Sequence, residues 1–159
     1  LYHSIIDWHH PDYTLDCVHP QRDDPGARAA DAARKMERYR AYLHGQTREL
    51  LTRFGPIDIL WYDFTVGADP DTARNLPAKN RDSWDSETLV RLVRELQPGI
   101  ILNDRLDLPD TWDIKTPEQF QPRAWLEVDG NPVVWEACQT FSGSWGYHRD
   151  ESSWKSVEM

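Results

Sequence analysis

The chain has 159 residues, enough for one domain with an apolar core, and carries 27 Asp+Glu against 18 Lys+Arg, a formal charge of -9. That balance argues against nucleic acid or any other phosphate-rich partner, which needs a cationic face. No apolar run approaches the roughly 18 residues of a membrane-spanning helix, and no basic segment precedes an apolar one as in a signal peptide.

The first residue is Leu1, not Met, and Leu1 to Ile6 reads as a strand already under way, so a segment of a longer protein is expected and the compartment is left open. A turn-rich loop follows, Trp8-His9-His10-Pro11-Asp12-Tyr13, and then a polar stretch to Pro25. From about Arg28 to Phe54 apolar residues recur at helical spacing, through Met36, Tyr39, Leu43, Leu50 and Phe54, until Gly55-Pro56 stops the pattern. Ile57, Ile59, Leu60 and Trp61 then read as a strand with apolar residues on both faces, as in a parallel strand covered on both sides.

A second loop, Thr65 to Arg81, holds Gly67, Pro70 and Pro77 and looks too polar to enter a core. Leu89, Leu92, Val93 and Leu96 trace one face of a helix ended by Pro98-Gly99, and Ile100 to Asn103 reads as the next strand. Two further strand-and-tip segments are expected at 112–118 and 132–136. No fixed-period repeat or low-complexity tract is present.

Strands alternating with helices, each strand with a polar C-terminal tip, indicate repeated βα units around a parallel sheet. The predicted class is α/β, part of a (β/α)8 TIM-like barrel. A full barrel takes about 250 residues, so the chain would supply its middle to late units and remain incomplete as given. In such folds the ligand site forms at the C-terminal ends of the strands.

That rule bears on Asp63, which closes an apolar run. A buried carboxylate is costly unless paired or hydrogen-bonded, so Asp63 needs either an opening to solvent or a specific partner. Glu118, after Thr116-Pro117, is a second carboxylate at a predicted strand end, and sugar-bond hydrolysis needs such a pair. Each also has a plainer reading, as a turn cap or an exposed loop acid. Arg105 can hold a carboxylate or a sugar hydroxyl, or bridge to Asp104 or Asp113. The 8 Trp residues beside many acids fit sugar stacking as well as core filling. His9 and His10 can be sugar ligands, a metal pair or loop residues; neighbours on a strand face opposite ways, which disfavours a shared metal. Cys17 and Cys138 match neither a disulfide framework nor a metal spacing.

Five segments, taken in order, resemble the α-L-fucosidases of glycoside hydrolase family 29. They are Leu1-Tyr2-His3-Ser4-Ile5-Ile6-Asp7-Trp8-His9-His10-Pro11-Asp12-Tyr13, Asp58-Ile59-Leu60-Trp61-Tyr62-Asp63-Phe64, Asn103-Asp104-Arg105, Thr116-Pro117-Glu118-Gln119, and Trp135-Glu136 followed by Ser144-Trp145-Gly146-Tyr147. The resemblance covers nearly the whole chain and implies a retaining exo-glycosidase, residues 1–159 being a fragment of its catalytic barrel domain.

By that resemblance Asp63 is the nucleophile and Glu118 the acid/base. Trp61, Arg105 and Tyr2 contact fucose, Trp145 packs against the sugar's apolar side, and His9 and His10 border the pocket. The implied substrate is a fucosylated glycan, with no metal or organic cofactor. The family's His-His-Asp-Gly segment, its first strands and the β-sandwich that often follows the barrel are not in this sequence. Two alternatives stand beside this reading: a retaining barrel glycosidase for another sugar, and a carbohydrate-binding remnant without turnover.

Overall fold

The computed structural model describes residues 1–64 and 70–157, so Thr65 and Gly67 of the second loop lie outside the described residues. The chain divides into two compact units, Leu1–Asp113 and Ile114–Met159.

The first unit is α/β, with three parallel strands in sequence order: β1 (Tyr2–Ser4), β2 (Ile59–Asp63) and β3 (Ile101–Leu102). Tyr2 pairs with Trp61 and Ser4 with Asp63 on one side of β2, and Ile59 pairs with Ile101 on the other. Between the strands run α1 (Pro25–Asp31), α2 (Met36–Arg53), α3 (Arg81–Trp84) and α4 (Ser86–Leu96).

The segment expected as one helix from 28 to 54 is two. Asp24 caps α1, accepting from the Ala27 N–H with Pro25 at the first position. The chain then leaves the helix because the loop after β1 captures its groups. Asp31 accepts from Leu15 N at 2.7 Å, Arg34 donates to Tyr13 O at 2.8 Å, and Asp12 accepts from Lys35 N at 3.1 Å.

In α2 the buried stripe runs Tyr39, Leu43, Thr47, Leu51. Leu50 and Phe54, expected on that stripe, fall beside it, and Phe54 is 69% exposed because it stands past the last turn. In α4, Leu89, Leu92 and Val93 are buried as expected. One core gathers Ile5, Tyr39, Leu43, Leu60, Tyr62, Trp84, Val93 and Leu102 between the helices and the sheet. Gln97 ties the turn before β2 to α2: its side chain accepts from Ile57 N and donates to the carbonyls of Leu51 and Gly55.

Two expectations change. Among the described residues β2 is covered on one face: Leu60 and Tyr62 are fully buried, whereas Ile59 is 41% exposed and shares the opposite face with Trp61 and Asp63. The second loop also enters the core, with Leu76 and Lys79 buried. The Lys79 ammonium lies 3.3 Å from the buried Asp16 carboxylate, donates to Thr14 O at 2.6 Å, and sits over the Tyr13 ring. Its charge is tolerated because every side of it finds a partner.

In the second unit the expected segments at 112–118 and 132–136 are held as parallel bridges rather than full strands: Lys115 pairs with Trp135 and Glu118 with Cys138. A hairpin not anticipated from the sequence, β4 (Glu127–Val128) with β5 (Asn131–Pro132), turns at Asp129-Gly130. Both turn residues have positive φ, 51° and 76°, the conformation an Asp-Gly pair provides.

Candidate active site

Asp63 is the last residue of β2, on the strand's less covered face. Strand pairing sets Tyr2 beside Trp61, and the two rings stack with centroids 5.8 Å apart and planes 18° from parallel. The Tyr2 hydroxyl donates to Asp63 Oδ2 at 2.6 Å. From the turn after β3, Arg105 Nη1 reaches Asp63 Oδ1 at 3.4 Å while its guanidinium lies 5.0 Å from the Trp61 ring centroid. Asp113, the other acid considered for Arg105, pairs with Arg94 at 2.7 Å.

The result is a carboxylate about one-fifth exposed, with a phenol on one oxygen and a guanidinium on the other, beside a flat aromatic floor. Oδ1 also accepts from Phe64 N at 2.8 Å. Phe64 has φ 78°, a left-handed conformation costly for a non-glycine residue, directly after the acid. A carboxylate held this way has both oxygens fixed in direction, as a nucleophile or a cation-stabilising group requires.

Sequence reasoning passed over Asn103 as a strand tip. It is buried, and its carboxamide pairs with the Tyr62 main chain, accepting from N at 3.0 Å and donating to O at 2.8 Å. Trp8, read only as part of a loop, stands edge-on to Phe64 and to the buried His19. The sequence signals for either were proximity to a strand end and membership of a segment that resembles the family.

His9 and His10 lie in the turn after β1. The His10 ring packs on Tyr39 and Tyr42 of α2, and its Nδ1 accepts from Asp12 N at 3.1 Å, so its geometry is that of a packing residue. His9 is exposed, its N–H donating to Asp7. Among the described residues no group of three or more His, Cys, Asp or Glu side chains is arranged to hold a metal. Glu118 and Trp145 belong to the second unit. Glu118 is exposed on the segment bridged to Cys138, where Gln119 N and Cys138 N donate to the carbonyls of Cys138 and Pro117. Trp145 is 60% exposed.

Thus Tyr2 and Arg105 converge on the Asp63 carboxylate, and both pack on the Trp61 ring.

Among solved structures, α-L-fucosidase isoenzyme 1 from Paenibacillus thiaminolyticus is 39% identical over 97% of this chain, which covers 36% of that protein, with a TM-score of 0.79. An α-L-fucosidase of glycoside hydrolase family 29 from Bacteroides thetaiotaomicron is 24% identical, with a TM-score of 0.64, over 99% of this chain and 35% of its own. One from Lactobacillus casei, solved with α-L-fucose product, is 20% identical over 96% of this chain and 44% of its own, with a TM-score of 0.55. The last two similarities speak to fold alone, and the chain spans under half the length of each of these proteins. A comparison with curated proteins returned no match. The family model described as Alpha-L-fucosidase matches residues 1–159, and the chain belongs to that family.

Proposed function

We propose that residues 1–159 are the middle to late βα units of a (β/α)8 catalytic barrel, and that the protein is a retaining exo-α-L-fucosidase acting on terminal α-L-fucose of glycans. The observation that carries this is Asp63, fixed at the C-terminal end of a parallel strand between Tyr2 and Arg105 on a Trp61 floor. Barrel enzymes place their chemistry at that end of the strands. The 39% identity to a Paenibacillus α-L-fucosidase supports the choice of sugar.

In this mechanism Asp63 attacks C1 of fucose while Glu118 protonates the departing glycosidic oxygen. The product of that step is a β-linked fucosyl ester on Asp63. Glu118, now a carboxylate, takes a proton from water as the water oxygen displaces Asp63, which releases α-L-fucose. Arg105 and Tyr2 keep the Asp63 carboxylate aimed. Trp61 and Trp145 offer aromatic faces to the sugar, whose apolar side stacks on such surfaces. His10 is assigned to packing on α2, and His9 to the rim of the loop after β1.

The test uses the full-length protein with an aryl α-L-fucoside and, as comparison, aryl galactosides. Hydrolysis of the fucoside alone is expected. Asp63→Gly should nearly abolish it, and azide should restore turnover by attacking C1 from the vacated face to give the inverted β-fucosyl azide. Near wild-type hydrolysis by Asp63→Gly would remove Asp63 from the nucleophile's role.

A further inference from the structure

We infer that Asn103 is a positioning residue for Asp63, acting through the peptide that joins Tyr62 to it; this rests on Asp63 being the nucleophile.

The main-chain groups of β2 alternate in direction. Trp61 N donates to Leu1 O and Asp63 O accepts from Ile5 N, both toward β1. Asp58 O accepts from Ile101 N on the other side, and two residues at a time this places the Leu60 and Tyr62 groups toward β3. The regular pairing of β3 nevertheless ends at Leu102. At Tyr62, one residue before the acid, the partner is instead a side chain: Asn103 accepts at 3.0 Å and donates at 2.8 Å.

Few side chains can do this. The two contacts require one donor and one acceptor in a plane, which a carboxamide has and a carboxylate or an alkyl group lacks. Gln has the same head on a longer stem. Both partners are buried, so water does not compete for them.

Two residues beyond this side-chain clasp, Arg105 lies over Trp61 and reaches Asp63 Oδ1. Asn103 therefore fixes the plane of the Tyr62–Asp63 peptide, and with it the direction in which the carboxylate leaves the strand. It touches neither reacting atom. A displacement near 1 Å at a nucleophile can cost about a hundredfold in rate, so the effect belongs in kcat more than in KM.

A cycle with azide separates this from a merely structural role. Azide in Asp63→Gly supplies a nucleophile that needs no aiming by the protein. Asn103→Ala, Asn103→Asp and Asn103→Ser are made in the full-length protein with Asp63 intact and again in Asp63→Gly, with folding of each checked by circular dichroism. The expected result is a loss in kcat of about a hundredfold with Asp63 present, a KM changed much less, and a loss under about threefold in azide-supported turnover.

Equal losses in both backgrounds would overturn the inference, because Asn103 would then serve the fold or the sugar pocket at large. A small loss with Asp63 present would do the same, as would failure of all three variants to fold. Absence of any azide rescue by Asp63→Gly itself is a different result: it removes the nucleophile assignment, and the positioning role with it.

Discussion

Tyr2 and Asp63 meet across the β1–β2 pair, the phenol donating at 2.6 Å to the carboxylate while its ring lies on Trp61. The hydroxyl and the ring have separable duties. Tyr2→Phe keeps the stack and deletes one hydrogen bond to a charged acceptor, worth about 1.5–3 kcal/mol. We expect kcat/KM of the full-length enzyme to fall roughly tenfold to a hundredfold, with the fold unchanged by circular dichroism. An unaltered kcat/KM would show that the phenol is not part of the nucleophile's support.

Glu118→Gly should fail in a different manner from Asp63→Gly. Good leaving groups need little protonation, so an activated aryl fucoside should still fucosylate the enzyme. Azide accepting the sugar from that intermediate gives the retained α-fucosyl azide. Nuclear magnetic resonance of the products reads the anomeric configuration, and the same configuration from both variants would refute the division of roles.

The Asp16–Lys79 pair is a stability element. Both side chains are almost fully buried, and burial pushes the Lys79 ammonium's pKa down while Asp16 opposes that shift. Asp16→Asn leaves the ammonium facing a neutral amide and removes the carboxylate that the Tyr13 hydroxyl contacts at 2.7 Å. The expected loss is about 3–5 kcal/mol in chemical denaturation. A loss below about 1 kcal/mol, the range of an exposed pair, would mean that the pair is solvated in solution.

Burial also lowers the pKa of His3 and His19 below the usual value near 6.5. Above that value both rings are neutral whether folded or not. As pH falls from about 6.5 toward 5, the unfolded chain takes up protons that the folded chain resists, so stability declines as the pH drops through that window. Asp23 and Asp71, held low by Arg74, contribute only at more acid pH. Thermal midpoints should therefore fall between pH 7 and pH 5, and His3→Phe should flatten the slope. A slope indifferent to that substitution would remove His3 from the account.

How far the sequence was legible depends on the range of the interaction concerned. β2, β3 and α4 follow from local apolar periodicity, which also places Asp63 at a strand tip. The break between α1 and α2 depends on Asp12, Asp31 and Arg34 meeting the loop after β1, so helical spacing alone ran through it. Lys79 looked like a loop residue because its partner Asp16 is distant in sequence. The Asp129-Gly130 turn signal was present, but strands of two residues leave no alternation to read, and Pro132 obscures the second. At the site, Trp61 came with its strand. Arg105 stood out by its place after a strand tip and Tyr2 through family resemblance, and their contacts with Asp63 depend on strand pairing that no spacing in the chain announces.

The alternation of β2 couples two properties that are usually separable. Leu60 and Tyr62 point into the helix-packed layer, while Trp61 and Asp63 point the other way. Adding or deleting one residue just upstream of Leu60, with the pairing to β1 kept, would turn this part of the strand over, sending the carboxylate into the helix-packed layer and the Tyr62 ring to the opposite face. Reading frame within the strand is thus constrained as tightly as composition: a length change there removes the core and the Asp63 carboxylate from their places in one event, and a second-site change at Asp63 alone has no means of restoring either.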